Sequence, residues 1–379
     1  MNVTTTLMAK CCPTCLLLTA MLLAAVALGG CTAEGLDSQT PASPRQAIAF
    51  GLAGSPATRT ASGSLTLDGS GTGEQSLQAV GFGVFACHTG LHPYVSSAIT
   101  SNFMWNQRVA YNTTASIWDY TPVRYWPDPI EGLSPYISFF AYAPYAANPG
   151  TGSTVADQCI VDLIHSVEGG DPWLVYQLGG SEDDWQDSQA DLLYDFQRDQ
   201  QQGEVPQRVS FNFRHALACA GDNITVTCSP ELQSQLLQAY DEDDATPVTL
   251  SLQGLTLTYT LLRKGRLWLN STDTPRWESI QSDVSTVVRR LTLQPEHTLA
   301  SVTSASEIVL TDYTSTNQGI FYIPLVVSGI SQYVDISVEY ATSLGTSGTL
   351  STRVDLSTAI EAGSNRSFRI ALTEIVPDP

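Results

Sequence analysis

The chain has 379 residues, 37 of them acidic and 17 basic, for a formal net charge of −20. A surface so acidic repels phosphate backbones, which excludes nucleic acid as a partner. The length exceeds one ordinary core and suits two domains behind a leader, and 43% apolar residues is enough to fill them.

Residues 1–30 hold Lys10 and no acid, and they read as an export signal. Their apolar run, residues 16–28, is 13 residues long, whereas a membrane-spanning helix needs about 20. The run ends in Leu28, Gly29 and Gly30 directly before Cys31, a pattern that resembles a bacterial lipobox with Cys31 as the lipidated residue. Two or three acyl chains on that thiol would anchor the chain where one would not. Residues 32–45 are small, polar and Pro-bearing, as expected of a tether. Ala47, Ile48, Ala49, Phe50, Gly51 and Leu52 then form a short strand-like run, and residues 54–60 carry loop chemistry with Arg59 and Thr60 in it.

Beyond residue 60 the apolar residues recur with period two. Val209, Phe211, Phe213, His215, Leu217 and Cys219 share one face of an expected long strand, and residues 248–252, 255–259, 334–340 and 368–372 repeat the alternation. The pattern predicts an all-β fold of antiparallel sandwiches. Helices are expected only within 154–167 and after Ser229, where Ser caps and Pro230 occupies the first turn. A polar stretch near residue 200 divides a domain of residues 61–203 from one of residues 204–379.

With the leader gone and Cys31 acylated, Cys87, Cys159, Cys219 and Cys228 remain. They permit three disulfide pairings or four buried thiols. A Cys219–Cys228 bridge is disfavoured, because a turn at residues 221–223 would not set those two positions opposite each other. Catalytic signatures are missing: there is no nucleophile elbow, phosphate loop or His-Glu-x-x-His. His215 lies on an apolar strand face, which suits a hydrogen-bonded core histidine better than a general base. Cys87 and His88 with His92 could suggest a metal, but a turn at His92 and Pro93 explains them as well, and no cofactor or metal is expected.

An ordered series of segments carries more information: residues 81–86 (GFGVFA), 102–109 (NFMWNQRV), 118–127 (WDYTPVRYWP), 137–145 (ISFFAYAPY), 191–194 (DLLY) and 213–218 (FRHALA). The series resembles the fimbrillin family of lipoprotein pilins of Bacteroidales-type bacteria. The resemblance implies two transthyretin-like β-sandwiches in tandem, an outer-membrane lipoprotein held through Cys31, and a later place in a cell-surface fimbria. It further implies that a trypsin-like protease cuts after Arg59, leaving Thr60 as the new N-terminus and releasing residues 47–52. Arg45 precedes the strand, so a cut there would not open the groove. A strand from another fimbrial subunit would fill the vacated groove, and the assembled fibre would meet a host or bacterial receptor. Only three residues follow the last apolar strand pattern, which suggests a tip or accessory subunit, or a final strand that is itself the donor. Two other readings remain open. One is a monomeric surface lipoprotein that binds glycans, with Trp105 and Trp118 as stacking residues; the other is a glycoside hydrolase using a carboxylate pair.

Overall fold

The computed structural model describes residues 45–53, 64–66, 76–96, 99–179, 188–203, 205, 207–272, 274–280, 284–294, 296–357 and 361–373. Cys31, Arg59 and Thr60 lie outside the described residues. The fold is all-β. In chain order the first strands are β1 (Ala49–Leu52), β2 (Phe82–Gly90), β3 (Met104–Asn112), β4 (Ile117–Asp119) and β5 (Tyr136–Ala143). They are followed by β6 (Ile160–Leu163), β7 (Trp173–Gln177), β8 (Leu193–Gln200), β9 (Arg208–Phe211), β10 (Arg214–His215) and β11 (Ala218–Cys228). Next come β12 (Val248–Leu262), β13 (Lys264–Trp268), β14 (Arg276–Glu278), β15 (Thr286–Leu293), β16 (His297–Ser304) and β17 (Glu307–Leu310). The last are β18 (Tyr313–Thr316), β19 (Ile320–Tyr322), β20 (Tyr333–Thr342), β21 (Ser347–Asp355) and β22 (Asn365–Leu372).

The first sheet has the order β10-β8-β5-β2-β3-β4-β1-β9. It curls over its own core, so that Phe50 of β1 meets Phe82 of β2 and Phe139 of β5 across the interior. The apolar alternation that fixes which face turns inward is visible on entry to β1, where Ile48 and Phe50 are buried, Ala47 is exposed and Ala49 is half-buried. A second buried cluster runs from Phe85 to Leu372 and is built largely on β11, β12 and β20. One four-stranded sheet, β14-β13-β7-β6, draws strands from both sides of residue 203. Most ladders are antiparallel, but β1 pairs with β9 and β11 pairs with β22 in parallel.

Several elements differ from the expectation in ways the backbone explains. The expected strand over 209–219 is broken into β9, β10 and the start of β11, because the chain crosses there from one core to the other. Val209, Phe211 and Phe213 belong to the Phe50 core, whereas Leu217 and Cys219 belong to the larger one. Residues 221–223 are not a hairpin turn: they lie inside β11, where Gly221 at φ 80° carries a register shift in the pairing with β22. The two stretches 248–252 and 255–259 merge into the single strand β12, with a shift between Leu252 and Gly254. Helix α2, after the four-residue α1 (Leu77–Val80), stops at Val155–Cys159 because the β-branched Ile160 and Val161 start β6, which pairs with β7. Helix α3 (Pro230–Ala239) forms as expected, Ser229 accepting from the Leu232 N–H with Pro in the first turn.

Candidate functional site: the seat of the first strand

Strand β1 is short, yet it occupies an interior position in its sheet. On one side Phe50 pairs antiparallel with Trp118 of β4. On the other, residues 49–52 run parallel to β9 in the register Ala49–Arg208, Phe50–Val209, Gly51–Ser210 and Leu52–Phe211. The ladder extends past both ends. The Ala53 N–H donates to the Phe211 carbonyl at 2.8 Å, and the Ile48 N–H donates to the Arg124 carbonyl at 2.9 Å. The Trp126 N–H in turn donates to the Gln46 carbonyl at 3.0 Å, and Ala47 bridges Tyr125. Residues 45–53 are therefore held by β4, by β9 and by a strap of residues 120–128. An exposed ion pair between Arg45 and Asp128 closes the strap.

The side chains make the seat a pocket for one ring. Phe50 is 1% exposed. It stacks on Phe211 at 5.9 Å, meets Phe82 and Phe139 edge-on at 6.3 and 5.8 Å, and leans on Tyr120 at 5.2 Å. Such pairs add about 0.5–1.5 kcal/mol each beyond the area they bury. Tyr120 also ties down the backbone beside that ring, because its hydroxyl donates to the Ile48 carbonyl at 2.8 Å. Burial raises the Tyr120 pKa above its ordinary value, so the phenol stays protonated as that donor. What this arrangement can do is mechanical. Loss of residues 45–53 would leave the facing N–H and C=O groups of β4, β9 and the strap unpaired, above a hollow lined by aromatic rings.

Of the sequence candidates, the structure brings residues 47–52 together with Trp118 and Val209, as the shared alternation allows. It adds partners the sequence did not point to. Tyr120 and Trp126 sit in a Pro-flanked stretch with no strand pattern, and nothing local marks the Tyr120 hydroxyl as the cap of Ile48. Other candidates have structural partners. His215 Nδ1 lies 2.8 Å from Asp191 Oδ2 in the interior. Trp105 is 44% exposed, but its Nε1 donates to the Ile164 carbonyl at 2.7 Å. Trp118 is half-buried, with its ring 5.0 Å from Phe82 and 5.2 Å from Tyr111. Among the described residues, no three His, Cys, Asp or Glu side chains converge as a metal site would require, and no helix is long and apolar enough to cross a membrane.

No protein-family model matches the chain. Over 203 residues it is 30% identical to the fimbrium subunit Fim1C of Phocaeicola vulgatus, an alignment covering 52% of this chain and 48% of that protein. The chain thus spans about half the length of the curated relative it matches. This similarity agrees with the fimbrillin resemblance read from the segments between residues 81 and 218. Crystal structures described as a "putative cell adhesion protein" overlap the fold more loosely. The one from Bacteroides uniformis has 12% identity and a TM-score of 0.41, covering 88% of this chain and 94% of its own. The one from Bacteroides ovatus has 11% identity and a TM-score of 0.40, covering 86% and 91%.

Proposed function

We propose that the protein is a subunit of a cell-surface fimbria, in a stalk, tip or accessory position, and that it works structurally and in adhesion. It leaves the cytoplasm as a lipoprotein through Cys31 and reaches the outer membrane. A trypsin-like protease cuts after Arg59, the segment bearing β1 departs, and a strand from another subunit takes its seat. The observation that supports this most directly is the placement of residues 47–52. The segment next to the proposed anchor is an interior strand whose Phe50 fills an aromatic pocket. Similarity to a fimbrium subunit supports the reading independently.

The physical logic is a protected edge. In the precursor, β1 satisfies the ladder groups of β4 and β9 and keeps the aromatic hollow dry. The chain can therefore travel as a monomer. After the cut the hollow and the unpaired edges form an acceptor for any extended segment that presents a bulky apolar residue at the Phe50 position. Donor and acceptor are different surfaces, so the contact is head-to-tail and can propagate without closing.

The test is N-terminal sequencing of protein recovered from the cell surface, alongside digestion of the purified precursor with an Arg-specific protease. Thr60 is the expected new N-terminus, with a ladder of oligomers that resists detergent. A clean cut at Thr60 with only monomeric product would favour the monomeric glycan-binding reading and sink polymerisation. Retention of palmitate by a Cys31→Ser variant would sink the anchor assignment.

A further inference from the structure

The outer face of β3 and β4 carries a second feature, which shares Tyr120 with the strand seat. Past the bulge at Asn106 (φ 45°), Val109 points into the core, and Arg108, Ala110 and Asn112 alternate onto the outside. Asp119 is the cross-strand partner of Ala110. A small residue therefore sits between taller polar ones, and an open hollow of about 460 Å³ forms over Ala110, bordered by Arg108, Tyr111, Asn112, Asp119 and Thr121. Arg108 also borders a neighbouring hollow of about 290 Å³ beside Val80 and Tyr145. Its guanidinium lies over the Tyr145 ring, 5.6 Å from the centroid. Among the described residues Arg108 has no carboxylate within ion-pairing distance, in contrast to Arg45, Arg214, Arg266, Arg276, Arg353 and Arg369.

We propose that this hollow is a saccharide-binding site selective for sugars that carry a carboxylate, with Arg108 pairing the carboxylate and Asp119 and Asn112 holding hydroxyl groups. The donor and acceptor inventory fits such a ligand. Arg108 offers a planar fork of N–H donors, and among the described residues it makes no ion pair, although Asp119 shares its hollow. Asn112 uses its side-chain oxygen to accept from the N–H groups of Thr114 and Ala115, which leaves its NH2 as a donor. One Asp119 oxygen accepts from the Tyr120 N–H at 2.8 Å, and the other remains for a sugar hydroxyl. Gln107 donates to the carbonyls of Arg108 and Thr121, both at 3.1 Å, so the rim is fixed to the strand beneath it. The larger hollow falls within the size range of small-molecule pockets.

The net charge of −20 does not argue against an anionic ligand here. At physiological ionic strength, charges more than about 8 Å away are largely screened, whereas a direct guanidinium–carboxylate contact is not. Asp119 borders the same hollow and Asp157 the neighbouring one, so selection for the acid depends on direct contact with the Arg108 guanidinium.

Binding is measured on the full, uncut protein carrying Arg59→Ala, so the outcome does not depend on assembly. The probes are oligosaccharides ending in glucuronate or N-acetylneuraminate, with matched ones ending in glucose or galactose. Acid-ended probes of one or both kinds bind, and the neutral ones bind at least tenfold more weakly. Arg108→Gln weakens the acid-ended probes by about 10- to 100-fold, and Arg108→Lys restores part of the loss. An unchanged thermal midpoint in both variants shows that the fold is kept. Equal binding of acidic and neutral probes, full binding by Arg108→Gln, or no binding of either acidic probe at millimolar concentration overturns the site. A fibre that assembles normally while no acidic sugar binds would sink this inference and leave the fimbrial reading standing.

Discussion

Burial pushes the Cys87 thiol up to about 12 and the Cys228 thiol up to about 11, in each case chiefly through loss of solvation. At pH 8 the reactive thiolate is then roughly one part in ten thousand for Cys87 and one in a thousand for Cys228. All four cysteines from Cys87 to Cys228 are buried and unbridged. We therefore expect the native protein at pH 8 to resist iodoacetamide at Cys87 and Cys228 for hours and to take it up at once after denaturation. Labelling of the native protein within minutes would show that these cores open readily. The even cysteine count could not decide between bridges and thiols, because pairing depends on which strands become neighbours. The same limit applied to His215. Its apolar strand face announced a core histidine, but its partner Asp191 is 24 positions away along the chain and close only in space.

At the scale of elements, the period-two pattern made strands legible and left their breaks obscure. Strands β12, β20 and β22 fall where alternation places them, since a half-buried strand writes its two faces directly into the sequence. Gly221 misleads for a physical reason: glycine with Asp and Asn is turn chemistry, yet here it is a bulge within β11. The backbone stands at φ 80°, and a Cβ on Gly221 would come within 2.2 Å of the Tyr259 hydroxyl oxygen. Gly221→Ala should therefore cost about 1–2 kcal/mol for the left-handed backbone, plus the displacement of Tyr259 from the core. We expect urea unfolding to show a loss of at least about 2 kcal/mol. A change under about 0.5 kcal/mol would mean that β11 has another path there. What no local pattern could reveal is pairing between distant strands: β1 with β9, or β7 with β13. Those contacts are chosen by which cores the strands share, and β13 beside β7 joins segments that composition alone would assign to different domains.

For the whole molecule, the proposed function makes the seat of β1 the point that decides whether one chain can become part of a polymer. Its strength is divided between a ladder on both sides and one ring among four others, and the two parts can be separated by experiment. A peptide of residues 45–53 carries the ladder groups and Phe50. Added in excess to precursor that has been cut after Arg59 and separated from its released segment, it should reoccupy the seat and suppress the oligomer ladder. The same peptide with Phe50→Ala keeps every backbone donor and acceptor but leaves the hollow empty. The loss of a buried Phe is worth about 3–5 kcal/mol in a core that cannot collapse, which corresponds to a weakening of at least a hundredfold. Suppression by the first peptide and not by the second, read on a detergent gel over a range of peptide concentrations, would show that polymerisation runs through the Phe50 pocket. Equal suppression by both would place recognition in the backbone ladder alone. If neither acts while oligomers still form, the subunits join through some other surface, and β1 is an ordinary strand that happens to come first.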